Sequence, residues 1–277
     1  MKNKPIVAIM YDFDKTLSSD DMQNYGFVPS LGMSPSEFWG RTKEVSDKEG
    51  LESTMAYLYM MVKCCKEKNI KLTKEYLNGL GKNIKFYEGV TTWFKRINQI
   101  GEELGLEVEH YIISSGNKEI VDGSSIAQNF KAIFGCEFFY DENGEAIWPK
   151  LSINYTSKTQ FLFRISKGVL DTTDDKSVNV KVEERRIPYH NFIYLGDGLT
   201  DVPCMQLVKE KGGKSIAIYP KGNKEKVIPL FEEGRVNYLC SADYRSGSPL
   251  EKIVKLILTQ MSLTSELLKK ESELFNK

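Results

Sequence analysis

Histidine is almost missing from this chain, with His110 and His190 the only two among 277 residues. A triad led by histidine, or a zinc hydrolase built on histidine ligands, therefore has too little material, and both histidines are expected to be structural. Cysteine is scarce as well: Cys64, Cys65, Cys136, Cys204 and Cys240 form an odd, scattered set. Adjacent Cys64 and Cys65 would point in different directions on a helix, so the set suits neither a disulfide framework nor a zinc site. Neither sign of charge is in excess, because lysine plus arginine and aspartate plus glutamate each total 38. No net field drives binding to nucleic acid or to an anionic membrane, and neither partner is expected. Long apolar runs are also lacking. The run after Lys2 and Lys4 spans about six residues before Asp12, too short for a signal-peptide core or a membrane span, so a cytoplasmic location is expected. No internal repeat or low-complexity tract stands out. What remains is a globular chain, 41% hydrophobic, able to bury a substantial core in one large or two modest domains.

Against this plain background one design occurs three times. Residues 5–17, PIVAIMYDFDKTL, are an apolar β-type run that stops at Asp12 and Asp14, followed by Thr16. Residues 110–116, HYIISSG, bring Ser114 and Ser115 to the end of a second run, and residues 191–201, NFIYLGDGLTD, bring Asp197 and Asp201 to the end of a third. Parallel strands of an open α/β sheet present their carboxyl ends at one edge, where ligands lie at a topological switch point, so these residues should meet. Gathering carboxylates has a cost: two unit charges about 4 Å apart repel by roughly 4 kcal/mol at an effective dielectric near 20. A cation is the simplest remedy. Hard oxygen ligands without histidine or thiolate favour Mg²⁺.

These segments resemble the motifs of the haloacid dehalogenase superfamily of aspartate-nucleophile phosphatases, and the resemblance spans most of the chain. The first motif, Asp-x-Asp-x-Thr/Val after a strand, is matched by Asp12, Asp14 and Thr16. The second, a Ser or Thr after a strand, is matched by Ser114. The fourth, Gly-Asp-Gly-x-x-Asp, is matched by Gly196, Asp197, Gly198 and Asp201. For the third, a lysine opening a helix, Lys158 is the best candidate, with Lys150 and Lys167 nearby. Two departures are visible: Lys15 stands where many relatives carry glycine, and SSGN, with Ser115 and Asn117, replaces the commoner Ser-Gly-Gly.

The resemblance implies a Mg²⁺-dependent phosphatase acting on a small phosphorylated metabolite through an aspartyl-phosphate. Asp12 would be the nucleophile and Asp14 the general acid and base. Lys158 would neutralise charge in the transition state, and Ser114 with an amide from Ser115 would hold the phosphoryl oxygens. Asp12, Asp197 and the main-chain carbonyl of Asp14 would hold the ion. Asp201 would complete its shell or orient Lys158, with Thr16 and Gly198 in support. The branch it leans toward includes phosphoserine phosphatases. Phosphoryl transfer to an acceptor, as in a mutase, and noncatalytic phosphate or nucleotide binding are the alternatives.

Alternating strand and helix signals predict an α/β fold with a parallel sheet covered on both faces, and the resemblance implies that this is a Rossmann-like doubly wound core. About one hundred residues separate Asp14 from Ser114, far more than one crossover needs. Residues 18–88 therefore read as an inserted helical cap on a core of residues 1–17 and 89–277, with hinges near residues 18–20 and 86–89. Ser34-Pro35 and Thr73 open helices within the insertion. Trp39 and Arg41 lie in it and could select a leaving group. A helix is expected over residues 118–130 and a β-run over 137–140, followed by a tight turn at Asp141-Glu142-Asn143-Gly144. Polar residues 171–186 read as a hairpin or flap beside the site. Gly212-Gly213-Lys214-Ser215 is rejected as a phosphate loop, since a strand follows where a helix is required.

Overall fold

A computed structural model describes residues 4–275. Strands β1 (Ile6–Tyr11), β2 (Glu107–Asn117), β3 (Ala132–Tyr140), β4 (Ala146–Leu151), β5 (Phe192–Gly196), β6 (Lys214–Tyr219) and β7 (Tyr238–Ser241) form one sheet in the order β4-β3-β2-β1-β5-β6-β7. Every pair is parallel except β3 with β4. The chain fills one side of β1 with β2 and β3 before crossing to β5 on the other, which makes the carboxyl end of β1 the switch point. Val7 through Tyr11 and all of β5 are buried, so these strands read as unbroken apolar runs and not as alternating ones. The crossover helix Val90–Glu103 buries Val90, Trp93, Phe94 and Ile97. Trp93 donates to the Tyr11 hydroxyl at 2.9 Å, and that hydroxyl meets His110 Nδ1 at 3.0 Å. Burial holds His110 down near a pKa of about 3, so it is a neutral packing group.

Three segments differ from the sequence reading. The helix expected over residues 118–130 stops at Asp122, and Gly123, which caps it, lies against the Asn78 carbonyl, where a Cβ would sit 1.8 Å from the oxygen. The turn at Gly144, φ +76°, is the tip of a hairpin whose second arm, β4, was not expected. Its Pro149 removes a donor, which an edge strand tolerates. Residues 171–186 are neither a hairpin nor beside the site. They carry one short helix, Asp175–Asn179, and are tied to the carboxyl end of helix Lys158–Lys167 by Arg164 and Lys167, which donate to the carbonyls of Asp171, Thr172, Val178 and Val180. At the end of the segment Arg186 grips Glu109 with bonds of 2.7 and 2.6 Å, roughly 16 Å before Ser114 along β2 at a strand's rise per residue.

Glu109 is buried, which on its own raises its pKa, yet the bonds from Arg186 and Tyr111 prevail and hold it near about 2. Arg186→Ala should therefore cost about 1.5 kcal/mol, since Tyr111 and Lys131 stay on Glu109 and Arg186 is partly exposed, read as a lower urea midpoint with an unchanged slope. The depressed carboxyl makes that contribution complete above its unfolded pKa of about 4.3. Wild type and variant should converge as pH falls toward about 2.

The helices between β1 and β2 begin with good caps. Ser34 accepts from the Glu37 amide to open Pro35–Glu49, the Glu52 carboxylate caps Ser53–Glu67, and Thr73 accepts from Tyr76 to open Lys74–Leu80. Entry and exit of this insertion lie side by side: Ser18 bridges Phe86, and the Tyr87 amide donates to the Leu17 carbonyl. Main-chain contacts also hold it farther out. Gly81 and Gly123 meet backbone to backbone, where a Cβ on Gly81 would come within 2.4 Å of Gly123 and Ile120 main-chain atoms. The Ala146 amide donates to the Leu72 carbonyl at 2.8 Å.

Candidate active site

Beyond β1 the chain turns at once, with the amides of Leu17 and Ser18 donating to the Phe13 carbonyl. The turn requires φ +57° at Lys15, a left-handed conformation normally left to glycine. Lys15 is held there by two bonds to Asp21, of 2.8 and 2.6 Å. Asp14 is half-buried and accepts from the Met22 amide at 2.8 Å. Burial, then Asp21 and Asp12, push its carboxyl well above the usual range.

Of the three candidate lysines, Lys158 lies in the site. Lys150 pairs with Glu137, and Lys167 binds main-chain carbonyls. The Asn154 side chain accepts from the Thr156 and Ser157 amides, a local turn that launches helix Lys158–Lys167 with Lys158 as its first residue. Fully buried, Lys158 Nζ lies 2.7 Å from an oxygen of Asp12 and 2.7 Å from one of Asp201. The Tyr194 hydroxyl donates to the same Asp201 oxygen at 2.8 Å, and the Asp197 amide to the other at 3.3 Å. Asp201 thus holds Lys158 through one oxygen, and both its oxygens are engaged within the protein. Gly196 is required because Asp201 folds back over it, leaving 2.5 Å for a Cβ.

Ligand oxygens of Asp12, Asp197 and Asp201 lie within 4.8 Å of one another. Burial, then Asp201, raise Asp12 to about 7 against the pull of Lys158, and burial with Asp12 and Asp201 raises Asp197 to about 8. A carboxylate cluster this short of positive charge fits a divalent cation with oxygen ligands.

Ser114 and Ser115 stand in a bulge of β2, whose pairing with β3 shifts between Ile113 and Asn117. Such bulges re-aim side chains beside active sites. Ser114 Oγ accepts from the Gly116 amide, while buried Ser115 Oγ and Thr16 Oγ1 lack protein partners. Gly198 lines the cavity with open space where a Cβ would be. Trp39 also lines it. Arg41 does not: it pairs with Glu67 at 2.8 Å on a separate groove shared with Glu44 and Lys63. Tyr194 and the Lys15–Asp21 pair escaped the sequence reading. The only hint of Tyr194 is a phenol set in the apolar run of β5, where its hydroxyl needs a partner. The whole cavity measures about 440 Å³, the scale of a small metabolite.

This sheet order with its helical insertion is the haloacid dehalogenase fold, in the form found in phosphoserine phosphatases. A probable phosphoserine phosphatase from Vibrio cholerae superposes with a TM-score of 0.60 at 13% identity, over 95% of this chain and 67% of that one. A substrate-bound phosphoserine phosphatase gives 0.58 at 17% identity, over 92% and 99%. A HAD family hydrolase from Salmonella enterica serovar Typhi gives 0.58 at 18%, over 86% and 68%. No protein-family model matches the chain. In sequence it is similar to an uncharacterized protein of Borreliella burgdorferi, 29% identical over an alignment of 277 positions that takes in 88% of this chain and 94% of that protein.

Proposed function

We propose that this protein is a Mg²⁺-dependent phosphatase of small phosphate monoesters. The observation that carries the reading is Lys158 clamped between Asp12 and Asp201, with Asp197 close by and Asp14 on the wall of the same cavity. A binding module has no use for an acid with a raised pKa beside a carboxylate held by a buried ammonium group. Asp12 attacks phosphorus, the bond from phosphorus to the alcohol oxygen breaks, and Asp14 delivers its proton to that oxygen. Water then attacks the aspartyl-phosphate and gives a proton to Asp14, which releases inorganic phosphate and restores the Asp12 carboxylate. Lys158 offsets the negative charge gathered on the phosphoryl oxygens, and Ser114 with neighbouring amides positions them. Asp12, Asp197 and the Asp14 carbonyl would hold the divalent ion, which offsets further phosphoryl charge when bound. Residues 18–88 act as the cap that shields this chemistry from bulk water.

The direct test is release of inorganic phosphate from an aryl phosphate, present with Mg²⁺ and abolished by a chelator. A second test reads the ion without turnover. In the metal-free protein, folded pKa values of about 7 for Asp12 and about 8 for Asp197 exceed those of the unfolded chain. Their contribution to stability is therefore complete below an unfolded pKa of about 4 and is lost as pH rises through the folded values. A cation that takes the place of those protons should raise the melting temperature most at about pH 8, by the equivalent of about 2.7 kcal/mol at one hundred times its Kd. An equal gain at about pH 5 would remove the ion from Asp12 and Asp197.

A further inference from the structure

We infer that the leaving group is an alcohol bearing an alkylammonium head, and not an amino acid or another carboxylate-bearing alcohol; this rests on the phosphatase reading and names its substrate class. The insertion places Asp21, Gln23, Trp39, Ser53, Thr54 and Tyr57 on the cavity wall. None of the six carries positive charge. The two ammonium groups on the wall are already engaged, Lys158 between Asp12 and Asp201 and Lys15 by both oxygens of Asp21. Of the acids that line the cavity beside them, Asp21 is paired with Lys15, while Asp12, Asp14 and Asp197 are taken up by the reaction itself. A carboxylate on the leaving group would lose its hydration with no free cation among these side chains to receive it.

The uncharged part of the wall points the same way. Trp39 donates its indole N–H to Asn24 at 3.0 Å, and Tyr57 donates its hydroxyl to the Ser115 carbonyl at 2.6 Å. Their polar ends are satisfied within the protein, and what they offer a ligand is ring surface. The two rings meet edge to face, with centroids 6.0 Å apart. Exposed Tyr155 adds a third ring at the rim. Gln23 and Ser53 each give one donor to the protein, to Asn117 and Glu52. Aromatic rings among acids with no free cation are the surroundings that a substituted ammonium group prefers.

The experiment compares kcat/KM for phosphocholine and phosphoethanolamine with that for phosphoserine, glycerol phosphate and ethyl phosphate, all with Mg²⁺. The ammonium esters should exceed the other three by about tenfold or more. Trp39→Leu should lower the ratio of phosphocholine to ethyl phosphate by about fivefold or more. Independently of Trp39, Asp21→Asn frees Lys15 and should raise the ratio of phosphoserine to phosphocholine. Phosphoserine or glycerol phosphate matching the ammonium esters overturns this inference and leaves the phosphatase standing. Unmoved ratios in both variants overturn it as well. Phosphate release from the aryl phosphate but from none of the five esters overturns this inference and leaves the phosphatase standing, and release from none of the six removes both.

Discussion

Asparagine in place of Asp12 should abolish turnover, with a loss of at least about 10⁴-fold, the order seen when an enzyme's nucleophile is deleted. An amide has no ionised oxygen with which to attack phosphorus. The substitution is nearly isosteric and removes one negative charge from a cluster whose members already repel each other, so the fold should not suffer. The melting temperature of Asp12→Asn should equal or exceed that of the metal-free wild type. Rapid acid quenching of wild type with a labelled ester should trap phosphate on the protein, and the variant should trap none. Retention of more than about a hundredth of the rate would remove Asp12 from the nucleophile's role.

Lys158→Met combines two large effects. Its ammonium lies 2.7 Å from both Asp12 and Asp201, and all three side chains are buried. Removing the shared cation leaves two buried carboxylates unpaired, which should cost about 3–5 kcal/mol in metal-free urea unfolding near neutral pH. Turnover should fall by about 10³-fold, because charge on the phosphoryl group loses a preorganised partner. Adding Asp201→Asn to this variant separates the two effects. Most of the stability should return, since one buried charge is gone, while the rate stays low. If the rate returned along with the stability, Lys158 would be a packing element and not part of the chemistry.

The site was legible where chemistry falls just past an apolar run. Asp12 and Asp197 each follow a buried strand, Ser114 stands in the bulge that ends the apolar run of β2, and sheet order then brings them together without help from sequence proximity. What the sequence concealed depends on three-dimensional pairing. Lys15 and Asp21 are six residues apart, yet only the left-handed turn at Lys15 makes them partners. The hydroxyl of Tyr194 is hidden in a strand that otherwise reads as apolar. Arg41 looked like a site cation, but on its helix it falls beside Glu67 of the next one. Residues 171–186 looked like a flap because they are polar, whereas their anchors, Arg164, Lys167 and Glu109, lie outside the segment and carry no mark of that role. The edge strand β4 was masked by Pro149.

The bare main-chain seam at Gly81 and Gly123 sets a condition on the sequence that no other contact of the inserted helices sets. Neither position has room for even a methyl group, and the atoms in the way are main chain, which cannot step aside by changing rotamer. Any side chain at either place would have to push the two segments apart, so the closeness of the inserted helices to the chain after β2 is written into two missing Cβ atoms.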